Sequence, residues 1–395
     1  MAVDLSGTDV KITRVEVLPV SGLIFVRVHT DAGITGLGEM HPASNTSGGR
    51  YVPTGALQFH EEYLIGKDPT QIERHWQHMF RRSLFRGGSD AMAAISALDI
   101  ALWDITGKLY GQPVYRLLGG PVREKVRLFA TPSSYPSFEP SAMAESAIGI
   151  VEEGFKTLRF YPLGARETFA NKGFRSIARM VEDNVAAVRN AVGDDIDIAI
   201  DVICLLTPPE AIEVGRLIEP YGLMFFEDPI EPDNIDVMAQ VAAQLPMPVA
   251  TGERLCTVYQ FQELLDKRAG AFLRPDLALA GGITNVKKIA SLAEARYIEV
   301  IPHNPLSWIN AAASAHLATA THNINLLEHH YQGNSFRSPF DDVFTGHPVY
   351  ENGCLTVSDR PGLGIELNDE ALKQYPAATG QRLAIIRNDG SLRDY

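Results

Sequence analysis

The sequence predicts an α/β protein built on a (β/α)8-type TIM barrel, with an N-terminal α+β capping domain that the C-terminal segment completes. Three short apolar runs each end in a carboxylate, at Asp201, Glu227 and Glu253. The intervals, 227 minus 201 and 253 minus 227, are both 26 residues. One strand and one helix fill such an interval, so the three side chains are expected at the same end of neighbouring parallel strands.

Further apolar runs on the same spacing complete a set of eight predicted strands. The eight runs are 126–130, 157–161, 198–201, 224–227, 248–253, 272–276, 300–303 and 324–328. Helix-like stretches lie between many of them, at 141–153, 177–191, 208–219, 259–267 and 286–295. Eight alternating strands and helices close most economically into a barrel, with the active site at the C-terminal strand ends.

The chain of 395 residues is longer than one barrel requires, so a second domain is expected. Residues 1–120 contain three strand-like runs followed by three helix-like stretches, and they are assigned to the capping domain. The Gly-Gly-Pro sequence at 119–121 marks the start of the barrel, which is assigned to 121–328. Residues 329–395 are rich in turns and are expected to pack on the capping domain. The turn at 19–22 and the polar loop at 41–53 are expected to form a specificity lid.

Bulk properties exclude several functional classes. No apolar stretch reaches membrane-spanning length and the N-terminus lacks a signal-peptide pattern, so a cytoplasmic protein without a membrane partner is expected. The net charge of -13 argues against nucleic acid as a partner. Three isolated cysteines indicate neither a disulfide framework nor a zinc site. These properties leave a small molecule as the expected partner.

The acidic residues indicate a metal site. Three carboxylates gathered in one pocket repel each other, and Mg²⁺ is the expected cofactor because it prefers oxygen ligands in octahedral geometry. The next three predicted strands end in Asp276, His303 and Glu328.

Two glycines, Gly281 and Gly282, could cradle a phosphate at a helix start or could instead allow close packing.

These residues resemble the enolase superfamily, mandelate racemase subgroup. The resemblance rests on the six polar residues at the strand ends, and on Thr-Gly-Glu-Arg at 251–254, Gly-Gly-Ile-Thr at 281–284 and Pro-His-Asn-Pro at 302–305. The upstream sequences at 85–88, 101–104 and 117–120 are similar to the subgroup's capping domain. Order and spacing are closest to acid-sugar dehydratases of the galactonate dehydratase kind.

The resemblance implies a hydro-lyase that removes water from a sugar acid, an aldonate or related compound, to give a 2-keto-3-deoxy sugar acid. Asp201, Glu227 and Glu253 would hold Mg²⁺, which would coordinate the substrate carboxylate and stabilise the enediolate. His303 would abstract the α-proton, and Asp276 would orient it. Glu328, if protonated, could donate a hydrogen bond to the enediolate. Because relatives are often dimers or octamers, a homo-oligomer is expected.

The chain departs from the family pattern at two places. Many relatives carry a Lys-x-Lys pair at the end of the second barrel strand, where this chain has Arg159 and Tyr161. Galactonate dehydratases typically carry a histidine two residues after the first metal ligand, where this chain has Ile203. Arginine is a poor base because it stays protonated, so either His303 or Tyr161 would protonate the leaving hydroxyl.

The sequence leaves several alternatives open. A racemase, epimerase or cycloisomerase could use the same enediolate, although racemisation needs proton donors on both faces. A catalytically silent relative that keeps the barrel and the metal is the third possibility. Arg159 and Tyr161 could also simply fill the barrel mouth.

Overall fold

The computed structural model describes residues 8–42, 54–84, 86–132, 137–164, 169–331, 341–377 and 385–393. An antiparallel sheet opens the chain, formed by β1 (Ile12–Val20), β2 (Leu23–Thr30) and β3 (Thr35–Met40). Four helices follow it: α1 (Thr54–Leu64), α2 (Ile72–Arg82), α3 (Ser89–Leu109) and α4 (Val114–Leu117). The long apolar helix α3 packs on β3, and a buried cluster of aliphatic and aromatic side chains joins this sheet to its helices.

Eight parallel strands form the barrel. They are β4 (Val126–Pro132), β5 (Thr157–Phe160), β6 (Asp197–Asp201), β7 (Phe225–Glu227), β8 (Val249–Thr251), β9 (Phe272–Leu273), β10 (Glu299–Val300) and β11 (Leu326–Tyr331). They pair in chain order from β4 to β10, and β11 pairs with β4. Val300 N of β10 donates to Asn323 O, three residues before β11 begins, at 2.9 Å. The predicted barrel is therefore confirmed.

In the described part of the chain, seven helices surround the barrel. They are α5 (Pro140–Glu152), α6 (Phe174–Val192), α7 (Pro208–Ile218), α8 (Ile235–Ala242), α9 (Val258–Asp266), α10 (Gly282–Glu294) and α11 (Trp308–Thr319). Local sequence fixes several of their starts, because α7 and α9 each begin with a capping box, Thr207 with Glu210 and Thr257 with Gln260. The main core lies between helices and strands, and a smaller cluster that includes Phe129, Phe225 and Ile301 fills the barrel interior.

The C-terminal segment is made of short elements. It contains β12 (Phe344–Thr345), β13 (Val349–Glu351), β14 (Cys354–Thr356), β15 (Glu366–Leu367), α12 (Asp369–Leu372), β16 (Ile385–Ile386) and β17 (Leu392–Arg393). Buried Asp104 of α3 links this segment to the first domain, because it accepts hydrogen bonds from Leu363 N at 2.8 Å and Leu37 N at 2.9 Å. The limits proposed for the three parts, 1–120, 121–328 and 329–395, stay predictions.

Two buried carboxylates of the first domain dock on the N-termini of barrel helices. Asp99 Oδ2 accepts from Thr284 N at 3.0 Å at the start of α10. Glu39 Oε2 accepts from Ser307 Oγ at 2.8 Å and from Asn310 N at 3.2 Å at the start of α11. The first N–H groups of a helix have no partner within the helix, so these hydrogen bonds fix the first domain over the mouth of the barrel.

The start of α10 also shows how Gly281 and Gly282 are used. Both have positive φ, 88° and 73°, and a Cβ on Gly282 would lie 2.3 Å from Asp99 Oδ2. The indole of Trp76 donates to Gly281 O at 2.7 Å. Protein atoms therefore fill the space around this turn, which supports close packing and not a phosphate cradle.

The two segments expected to form the lid have different outcomes. The turn at 19–22 is the tight connection between β1 and β2, where Ser21 has φ of 51° and its N–H donates to Tyr375 O at 3.2 Å. Most of the loop at 41–53 lies outside the described residues.

None of the helices in the described part of the chain combines the length and apolar character that a bilayer span requires.

Candidate active site

The three predicted metal ligands lie together at the C-terminal ends of β6, β7 and β8. Asp201 and Glu227 close their strands, and Glu253 follows β8 by two residues. One oxygen from each carboxylate lies within 4.8 Å of the others. Asp201 is 3% exposed and Glu227 is fully buried. We call this group the carboxylate cage.

The electrostatics of the carboxylate cage suit a divalent cation. Burial, followed by the negative charge of Glu227, raises the pKa of Asp201 well above its usual value. Burial and the charges of Glu253 and Glu227 also raise the pKa of neighbouring Asp228 to about 8. A divalent cation that prefers oxygen ligands would reduce the repulsion between these neighbouring carboxylates. The donor set and its spacing therefore fit Mg²⁺.

A strained backbone follows the first two members of the cage. Ile203, Cys204 and Asp228 have φ of 50°, 60° and 38°, values that residues other than glycine rarely adopt. A hydrogen bond of 2.8 Å from Cys204 N to Asp228 O joins the two loops. Asp201 Oδ1 in turn accepts from Ile203 N at 2.7 Å, so the strained turn orients this carboxylate. Strain of this kind is often retained at functional sites.

His303 and Asp276 form a hydrogen-bonded pair beside the cage. Both follow strands of only two residues, and a single parallel bridge joins them. His303 Nδ1 lies 2.9 Å from Asp276 Oδ2, and His303 Nε2 lies 3.4 Å from Glu253 Oε2. The imidazole therefore presents one nitrogen to its orienting carboxylate and the other to the carboxylate cage.

The surroundings of this pair define its charge. Asp276 is fully buried, and its Oδ1 accepts from Ala278 N at 2.7 Å and Asn310 Nδ2 at 3.3 Å. Burial lowers the pKa of His303, but the negative charge of Glu253 and the hydrogen bond to Asp276 outweigh it and raise this pKa to about 9. The imidazole therefore keeps a second proton near neutral pH, and a cation at the carboxylate cage, by offsetting the charge of Glu253, would lower this pKa toward the neutral form that a base requires.

Arg159 lies in a closed ring of buried ion pairs. Its Nη1 contacts Glu227 Oε2 at 2.6 Å and its Nη2 contacts Glu328 Oε1 at 2.7 Å. Arg274 completes the ring, with Nε 2.7 Å from Glu227 Oε1 and with Nη2 on Glu328 Oε2. All four side chains are at most 1% exposed. We call this group the arginine–glutamate ring.

The ring surrounds Glu328 with positive charge. The resemblance implies that Glu328, if protonated, could donate a hydrogen bond to the reaction intermediate. The structure instead has both oxygens accepting from guanidinium groups, and Asn304 N adds a donor to Oε2 at 3.1 Å. This is the environment of an ionised carboxylate, because two adjacent positive charges favour the charged form.

Tyr161 lies just beyond the end of β5 and contacts the same ring. Its hydroxyl accepts from Arg159 Nη2 at 2.9 Å. Burial, opposed in part by the positive charge of Arg159, raises the pKa of Tyr161 well above its usual value. The phenol therefore keeps its proton, as a hydrogen-bond donor must.

Sequence reasoning missed two residues of this site. Arg274 precedes Asp276 by two positions, and side chains two apart on a strand share one side, so this spacing could have revealed it. His41 comes from the first domain, just after β3, and its Nε2 lies 3.8 Å from Asp276 Oδ2. His41 begins the loop expected to form part of the lid, but no local signal predicts its contact with Asp276, because only the docking of two distant segments brings these side chains together.

Comparison with known proteins identifies the family. The family described as Mandelate racemase / muconate lactonizing enzyme, N-terminal domain, matches residues 10–119, and the family described as Enolase C-terminal domain-like matches residues 142–371. A D-xylonate dehydratase of Haloferax volcanii is 34% identical over 93% of this chain and 89% of its own length. A D-galactonate dehydratase of Xanthomonas euvesicatoria is also 34% identical, over 89% of this chain and 90% of its own.

Solved structures agree with this assignment. The structure of an enolase from Agrobacterium radiobacter, with bound sodium and L-malate, matches with a TM-score of 0.87 and 30% identity over 97% of this chain and 99% of that chain. A mandelate racemase/muconate lactonizing enzyme from Jannaschia sp. matches with a TM-score of 0.86 and 32% identity, over 94% and 99%. Matches to both domains, and relatives this similar over nearly the whole length, confirm the predicted family: the chain belongs to the mandelate racemase subgroup of the enolase superfamily.

Proposed function

We propose that this protein dehydrates a sugar acid, an aldonate or related compound, to a 2-keto-3-deoxy sugar acid. The observation that carries the proposal is the position of His303, which is hydrogen-bonded to Asp276 and has its second ring nitrogen 3.4 Å from the carboxylate cage. A substrate carboxylate held at the cage would bring its α-carbon close to that nitrogen. The dehydratase names of the relatives from Haloferax volcanii and Xanthomonas euvesicatoria support the same reaction.

Asp201, Glu227 and Glu253 would hold Mg²⁺. When bound, the ion would supply a Lewis acid for the substrate carboxylate. The remaining chemistry falls to the protein's own side chains. His303 would take the α-proton at Nε2, while Asp276 would hold Nδ1–H and favour the imidazolium that results.

The leaving hydroxyl needs a proton, and two groups could provide it. His303 could return the proton that it has just taken. Tyr161 could donate instead, because its phenol keeps its proton and its hydroxyl group accepts a hydrogen bond from Arg159. The end of β5 carries no lysine, and Arg159 is held in the arginine–glutamate ring. The missing lysine weakens the racemase alternative, because racemisation needs a proton-transfer group on each face of the α-carbon and Tyr161 would have to replace that lysine.

A substrate panel tests the proposal. Purified protein with Mg²⁺ is incubated with a set of aldonic and aldaric acids, and 2-keto acid is detected with semicarbazide. We expect at least one member to give keto acid, and the His303→Asn variant to give none. The same incubation in D₂O identifies the alternative, because an epimerase or racemase would exchange the α-proton of recovered substrate without forming keto acid. Neither product nor exchange with any member would indicate a catalytically silent relative.

A further inference from the structure

Arg159 contacts two of the three members of the carboxylate cage. Its Nη1 lies 2.6 Å from Glu227 Oε2 and 3.2 Å from Asp201 Oδ2. Arg159 is 1% exposed and Asp201 is 4% exposed at the side chain, so water screens this contact weakly. One guanidinium therefore neutralises, from inside the protein, two of the carboxylates that a metal ion would use.

A divalent cation at the cage would meet this guanidinium at close range. Both carry positive charge, and charges of the same sign repel strongly where the local dielectric is low. The ion and Arg159 must then share the negative charge of Asp201 and Glu227. Arg159 therefore weakens the binding of the ion by these two carboxylates, and a bound ion weakens their ion pairs with Arg159.

We infer that Arg159 is a positioning residue that serves as the internal counter-cation of the carboxylate cage: it stabilises Asp201 and Glu227 before metal binds and lowers the affinity of the cage for a divalent cation. The inference rests on the metal site proposed above. It gives Arg159 a role other than proton transfer, although it stands where relatives place an acid/base lysine.

Other contacts would keep the cage oriented without Arg159. Arg274 Nε holds Glu227 Oε1 at 2.7 Å, and Ile203 N holds Asp201 Oδ1 at 2.7 Å. These two bonds do not involve Arg159. Removing the charge of Arg159 therefore removes repulsion toward the metal and leaves one orienting bond on each of these two carboxylates.

The test is the affinity for Mg²⁺, measured by titration calorimetry on metal-free protein. Arg159→Met, which removes the charge, is expected to bind Mg²⁺ about tenfold more tightly or better, because the nearby positive charge is gone. Arg159→Lys, which keeps the charge, is the matched control and is expected to stay close to the wild type. Without metal, Arg159→Met is expected to melt at a lower temperature than the wild type, and saturating Mg²⁺ is expected to reduce that deficit.

A second variant covers the case in which Arg159→Met does not fold, since it leaves buried Glu328 with one guanidinium fewer. Arg159→Met combined with Glu328→Gln removes one charge of each sign and should still bind Mg²⁺ more tightly than Glu328→Gln alone, because that comparison isolates the loss of the guanidinium charge. Folded variants that bind Mg²⁺ no more tightly than the matching protein that keeps Arg159, or Arg159→Lys gaining as much as Arg159→Met, would overturn the inference alone. A wild type that binds no divalent cation would overturn the metal site as well.

Discussion

The buried contact of Asp99 with α10 should make the stability of this protein depend on pH. Burial raises the pKa of Asp99 from its usual 3.8 to about 7, although the hydrogen bonds from Thr284 lower it in part. Between these two pH values the folded protein keeps a proton on Asp99 and the unfolded chain does not. The contribution of Asp99 to the free energy of unfolding is therefore fully present below about pH 4 and is lost as the pH rises through about 7.

The magnitude follows from the two pKa values. The difference, 7 minus 3.8, is about 3 units, and each unit is about 1.4 kcal/mol, so the contribution is about 4 kcal/mol. Asp99→Asn removes the titration and keeps an oxygen that can accept from Thr284 N. The unfolding free energy of this variant, relative to the wild type, should therefore rise by about 1.4 kcal/mol per pH unit between pH 5 and 6.5.

Urea denaturation at several pH values between 5 and 8 measures this difference. Asp195→Asn, at an exposed position, is the control for the general effect of losing one negative charge. A difference between Asp99→Asn and the wild type that stays constant over this range would refute the reasoning. It would mean that the N-terminus of α10 stabilises the Asp99 carboxylate enough to offset its burial.

Four further substitutions test the site and its support. His303→Asn should abolish turnover and leave the circular dichroism spectrum unchanged, because it removes the base and keeps a polar side chain; near wild-type kcat would contradict its role. Tyr161→Phe should lower kcat by about 10²-fold or more if the phenol protonates the leaving group, whereas full activity would assign that step to His303. Glu253→Gln should weaken Mg²⁺ binding in calorimetry, because one carboxylate of the cage is lost, and an unchanged affinity would exclude Glu253 as a ligand. Gly282→Ala should lower the unfolding free energy by roughly 1–3 kcal/mol or more from steric conflict with Asp99 and a positive φ, and an unchanged melting temperature would contradict the packing described at this turn.

The barrel could be predicted from the sequence because its signals are local and repeated. Each βα unit places an apolar run and a polar terminal residue at a regular interval, so the strands and the positions of Asp201 and Glu227 follow from spacing alone. Helix starts were equally visible where a capping box stands, as at Thr207. The start of α10 was predicted four residues late because Gly282 carries no helix signal of its own.

Contacts between distant segments could not be predicted in the same way. His41 reaches Asp276 only because Glu39 and Asp99 dock the first domain on the barrel. The ionised state of Glu328 depends on Arg274, whose partners lie 47 and 54 residues away along the chain. Such states are set by burial and neighbouring charge, which become defined only when the tertiary structure is known.

A crystal structure with Mg²⁺ and a 3-deoxy analogue of the substrate would test the central claim most directly. The analogue lacks the leaving hydroxyl, so it can bind but cannot be dehydrated. We predict one ion ligated by Asp201, Glu227 and Glu253, with the α-carbon of the analogue about 3–3.5 Å from His303 Nε2. An ion bound elsewhere, or an α-carbon on the side of the site away from His303, would contradict the account.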